Sequence, residues 1–187
     1  MVKCISKKEM CDNDNISIED IKQNIFSVGG RELEIWKRSL VADRRLLDQL
    51  FRFIFSDNQR LAWRSCWIID TASEEFPDLL EDKLPQIIAV LLSTKNGSLK
   101  RNFTRILCRF KIPEVYLGEV VNRSFELLAP CEPVSVRVFA LQLLFNITLQ
   151  VPDLKGELIS VIESLMEEGG SAGFINRSTK LLRQLRD

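Results

Sequence analysis

Residues 76–79, 112–115 and 151–154 read FPDL, IPEV and VPDL: an apolar residue, proline, an acid, then Leu or Val. The three prolines, Pro77, Pro113 and Pro152, stand 36 and 39 residues apart. Counting forward from Pro77 finds Leu79, Leu84, Ile87, Ile88 and Leu91. The same offsets hold Val115, Val120, Ser124 and Leu127 after Pro113, and Leu154, Ile159, Ile162 and Met166 after Pro152. Such spacing places these residues on one face of an α-helix. Proline costs nothing in a first helical turn, where its missing N–H has no acceptor to lose. The acid beside it favours the positive end of the helix dipole. The phrase therefore predicts a helix start, used three times, with the Leu or Val two residues after proline turned inward.

Counting backward, Arg64, Arg101 and Arg137 precede their prolines by 13, 12 and 15 residues, each within another stretch of helical periodicity. Each unit thus reads as helix, short turn, helix. A pair of this size cannot bury its apolar face alone, so successive pairs must stack. The recurrent arginines are expected to bond carbonyls or acids of a neighbouring repeat. The segment 134–149, VSVRVFALQLLFNITL, is apolar nearly all round and needs cover on several sides. Its Val, Phe and Ile would also suit a strand; the matched arginine spacing and the VPDL that follows favour helix.

The ends extend the pattern. Residues 32–40 and 43–55 read as a shorter opening pair, with Leu33, Trp36 and Leu40 inward, and 16–27 as one more short helix. Pro85, eight residues beyond Pro77, should kink or restart its helix. Gly169 and Gly170 should stop the third unit. Beyond them Phe174, Leu181, Leu182 and Leu185 oppose Arg177, Lys180, Arg183 and Arg186, as in a capping helix. The expectation is an all-α chain: a flexible tail over 1–15, then one domain over 16–187 forming a short right-handed α-solenoid of stacked antiparallel helix pairs.

Composition narrows the function. Lys plus Arg balances Asp plus Glu at 26 each, so no global field draws nucleic acid or an anionic membrane. No apolar run approaches a membrane span, and the N-terminal residues lack the apolar core of a secretory signal, so the reading is cytoplasmic. Five cysteines without CxxC spacing argue against a disulfide framework or closed zinc site. Histidine is absent, which removes the commonest general base and metal ligand. No catalytic, cofactor or metal residues are assigned.

A repeat of about 40 residues built from two helices resembles HEAT and armadillo solenoids. More narrowly, LAWRSCWIIDTASEEFPDL, VRVFALQLLF and SAGFINRSTKLLRQL are similar to packing phrases of a group of small bacterial helical-repeat proteins sometimes labelled adenylosuccinate lyase. The resemblance covers roughly 31–187 and implies a HEAT-like fold. It implies no lyase activity, since that chemistry rests on histidine and a Ser-rich loop, and the chain has neither.

Three clusters are candidate sites. Arg101, Arg105 and Arg109 form an i, i+4, i+8 stripe within 95–111, an interval without acids, and could hold phosphates; a solvated helix face opposite a packed one explains the same pattern. Trp63, Trp67, Asp70 and Glu74 share a face resembling the aromatic and carboxylate groups of HEAT-like DNA glycosylases, although tryptophans so spaced ordinarily pack. The second helices of the units present Gln86, Glu119, Asn122, Arg123, Glu126 and Glu163. That mildly acidic surface suits a protein or peptide partner. The preferred reading is a non-enzymatic interaction module; a DNA-binding or base-excising protein using the arginine stripe is the alternative.

Overall fold

A computed structural model describes residues 17–187; the expected tail over 1–15 lies outside the described residues. Every regular element among them is helical. The chain divides into two compact units, Met1–Asp82 and Lys83–Asp187.

The first unit holds α1 (Ile18–Ser27), α2 (Gly30–Ala42), α3 (Arg44–Ile54) and α4 (Gln59–Glu75). Short polar side chains set the starts: Ser17, Asp43 and Asn58 accept from the backbone N–H groups of Asp20, Arg45 and Leu61. Each satisfies a donor that the first helical turn leaves unpaired. Helix α4 packs against α1, α2 and α3. Ile25, Leu40, Leu47, Leu50, Cys66 and Ile69 are fully buried, and Trp36 nearly so. The expected opening pair and short first helix are present, with Leu33 only part-buried.

The second unit holds α5 (Leu84–Ser93), α6 (Gly97–Leu107), α7 (Leu117–Glu126), α8 (Val134–Thr148), α9 (Leu154–Glu167) and α10 (Ala172–Arg186). Helices α6, α8 and α10 pack side by side as one layer; α5 packs on α6 and α7, α7 on α8, and α9 on α8 and α10. The apolar segment 134–149 is helical and contacts four neighbours, burying Val136, Ala140, Leu141, Leu143, Leu144 and Ile147. Gly169 ends α9 with φ of 84°, a conformation that favours glycine.

The repeated phrase behaves differently from the expected first turn. Pro77 opens a 3-10 helix over Pro77–Lys83, and α5 restarts at Leu84 because Pro85 has no N–H to continue the ladder. Pro113 is extended (φ −60°, ψ 141°) and precedes a single 3-10 turn, Glu114–Tyr116, before α7. Pro152 lies in a turn, and Asp153 is the residue before α9. The phrase is a lead-in rather than a first turn. This overturns one burial expectation outright: Val115 is 80% exposed, because the 3-10 turn breaks the helical register between Pro113 and α7. Leu79 is 5% exposed, as expected, while Leu154 is only part-buried.

Candidate functional site

The arginine stripe begins on α6, whose start is fixed by Asn96 accepting from Ser98 and Leu99 N–H. Its inner face buries Leu99, Phe103, Ile106 and Leu107. Arg101 Nε donates to Asn102 Oδ1 at 3.2 Å. Arg105 lies 6.0 Å from the centre of the Phe139 ring on α8. Helix α6 ends at Leu107, so Arg109 sits in the following turn and the i+8 spacing does not continue on one helix face. Lys100 pairs with Glu132. All three stripe arginines are part-buried, and no residue of α6 is fully exposed. A helix so covered offers a polyanion little of its surface.

The expected arginine ladder is present with one exchange of members. Arg64 Nε donates to Ile25 O at 2.7 Å, and its Nη2 reaches Val28 O. Burial lowers its pKa, with Arg60 adding to the effect. Arg137 donates to Leu128 O at 2.9 Å with its guanidinium 4.1 Å from the Phe174 ring centre. Arg101 makes no such bond. Arg123 on α7 does instead, donating to Leu91 O at 3.1 Å and Thr94 O at 2.9 Å at the end of α5. The last carbonyls of a helix lack intrahelical donors, so these guanidinium forks serve as caps.

Trp63 and Trp67 stack with ring centres 6.4 Å apart and planes 17° from parallel. The Arg64 guanidinium lies 5.9 Å and 5.6 Å from the two rings. Asp70 is only 1% exposed, whereas Glu74 is exposed. The arrangement is an arginine held by rings and helix carbonyls. It does not set an open carboxylate beside an aromatic platform.

On the second helices, Gln86, Glu119, Asn122 and Glu126 are exposed, while Arg123 and Glu163 are part-buried. Glu119, Asn122 and Glu126 follow i, i+3, i+7 spacing and so share the outer face of α7. Arg123 also pairs with Glu126 at 2.8 Å, and Glu163 pairs with Arg186 of α10. The structure thus brings five of the six residues to α5 and α7, which pack together; Glu163 stands apart on α9.

Two clefts escaped the sequence reading. One, of about 370 Å³, is lined by Val41, Arg44, Glu75, Phe76, Pro77, Asp78 and Leu79. The other, of about 690 Å³, is lined by Lys111, Ile112, Pro113, Glu114, Leu117, Leu149 and Gln150. With its amide oriented to satisfy both atoms, Gln150 bonds the backbone N–H and C=O of Ile112, tying the two turns across that cleft. The repeated phrase lines both clefts, and was the available signal. Among the described residues no group of three or more Cys, Asp or Glu is arranged to hold a metal ion, and no helix is long and apolar enough to cross a membrane.

The family model described as HEAT repeat domain matches residues 30–185. No curated protein and no solved structure matches the chain.

Proposed function

From the premise that the chain belongs to the HEAT repeat domain family, we propose that it is a non-enzymatic interaction module, in the cytoplasm, that binds another protein or peptide. The reading includes one HEAT-like domain over 16–187, in line with a family match that runs through both units. The observation that carries it is the outer face of α7. Glu119, Asn122 and Glu126 are exposed there, and Gln86 is exposed on α5, which packs on α7. The one cation of that helix, Arg123, turns its fork to the α5 carbonyls and Glu126. What remains outward is polar and mildly acidic, a surface that selects partners by complementary charge. The absence of histidine from the sequence supports a binding role over general acid/base catalysis. No lyase activity is part of the proposal.

The test is affinity capture with mass spectrometry on the full chain, comparing it with the Glu119→Lys, Glu126→Lys double variant. A partner retained by the parent chain and lost by the variant is expected. Retention of the same partner by both would remove α7 from the site. Nucleic-acid binding by Arg101, Arg105 and Arg109 is the competing reading. It requires duplex DNA affinity that falls steeply with salt and weakens in Arg101→Ala or Arg105→Ala; absence of such binding is expected.

A further inference from the structure

Helix α8 buries most of its circumference, yet Val134 is 42% and Leu149 is 73% exposed, with Val138 and Phe145 part-exposed between them. At about 100° per residue these four fall within one narrow arc, a strip about 22 Å long at 1.5 Å per residue. The neighbours fix what borders it. On one side, Arg137 stacks on Phe174 of α10. On the other, Asn146 Nδ2 donates to Cys108 O at 2.7 Å, and Phe139 lies against Arg105. The strip therefore opens outward between α10 and α6.

Both borders are cationic. Helices α6, α8 and α10 contain Lys or Arg at 100, 101, 105, 137, 177, 180, 183 and 186, and no Asp or Glu. On α10, Arg186 meets Glu163 of α9. Arg177 precedes it by nine residues, half a turn around the helix, and so lies on the edge towards the α8 strip. Lys180 is exposed next to it, and neither has an acidic partner among the described residues. At its far end the strip enters the larger cleft, which Leu149 lines with Ile112, Pro113, Leu117 and Lys111. Glu114 is the one carboxylate there.

We propose that the outward strip of α8, continued into the cleft at Leu149, docks an amphipathic helix with acidic flanks from a partner protein. Apolar anchors at i, i+4, i+7 and i+11 match the strip, and carboxylates flanking them meet Arg177 and Lys180. A polyanion would leave the Val, Phe and Leu side chains uncovered, and an uncharged apolar segment would leave Arg177 and Lys180 unmatched. This surface lies on a different layer from the α7 face and does not depend on it.

The probe is a fluorescein-labelled synthetic 18-residue peptide with leucines at those positions and glutamates flanking them, titrated with the full chain by anisotropy at fixed salt. Saturable binding with a gain in helicity by circular dichroism is expected. A lysine-flanked analogue and a scrambled glutamate peptide should each bind at least about tenfold more weakly. The Val134→Glu, Leu149→Glu and the Arg177→Glu, Lys180→Glu double variants should lose a similar factor. Should a double variant melt early, Leu149→Ser at the most exposed position replaces it, with a loss of about threefold expected. Equal binding of the scrambled peptide, unchanged binding by these variants, or preference for duplex DNA at the same salt would each overturn the proposal.

Discussion

Arg123 offers the sharpest test of how the second unit is held together. Its guanidinium donates to Leu91 O in the last turn of α5 and to Thr94 O just beyond it, where the helix has run out of N–H groups of its own. Arg123→Met keeps the aliphatic stem and removes the fork. Thr94 is part-exposed, so water can take over at its carbonyl; Leu91 is fully buried, so its carbonyl is left with poorer options. An acceptor stranded in that way costs about 1–3 kcal/mol, and loss of the cation from the negative end of α5 adds about 0.3–1 kcal/mol. Water access at Thr94 pulls the sum down, to about 1–3 kcal/mol. For a chain of this length the melting temperature should fall by about 2–4 °C for each kcal/mol. Arg123→Lys retains the charge but cannot fork to two carbonyls, so it should fall between the other two. Far-UV circular dichroism in a urea series is the assay, because Trp36, Trp63 and Trp67 all belong to the first unit and would not report on the second. A methionine variant within 0.5 kcal/mol of the parent (about the scatter expected for a surface change), or a lysine variant as costly as methionine, refutes the capping argument.

Leu79→Ala should cost about 2–5 kcal/mol as a core truncation, whereas Val115→Ala should stay within about 0.5 kcal/mol because that side chain is already in water; paired denaturant titrations check both. Deletion from Ser171 onward removes Phe174, Leu181, Leu182 and Leu185 from against α8 and α9, and light scattering should show aggregation or calorimetry a loss of cooperative unfolding. A soluble, equally stable truncation would contradict the packing of α10. Lys37 has its pKa raised by its hydrogen bond to Glu34 and further by Glu75, against a lowering by burial. A raised pKa means that its contribution is present at neutral pH and lost as pH climbs past the ordinary 10.5 through the raised value. The melting-temperature gap between the parent chain and Lys37→Met should therefore close above that pH, and a gap unchanged there would rule the pairing out.

Local chemistry alone was enough for many of the elements. Pro85 cannot donate an N–H, so α5 restarts beside it in whatever surroundings. Gly169 tolerates positive φ, so α9 stops there. Segment 134–149, read as helix from its arginine spacing and the VPDL that follows, was apolar enough around its circumference to need cover on several sides, and four neighbours cover it. Tertiary structure decided what periodicity could not. Val115 fits the helical offsets yet faces water, because a 3-10 turn resets the register ahead of α7. Spacing pointed to Arg101 as the residue to bond a neighbour, but it is Arg123, from α7, that reaches the last carbonyls of α5. The α8 strip is of the same kind: Val138 and Phe145 are as apolar as the buried Val136 and Leu144, and which of them meets solvent depends on where α6 and α10 pack. Sequence spacing sets the angle of a side chain around its own helix, whereas its contacts depend on the position of the next helix, which follows from the packing of every other face at once.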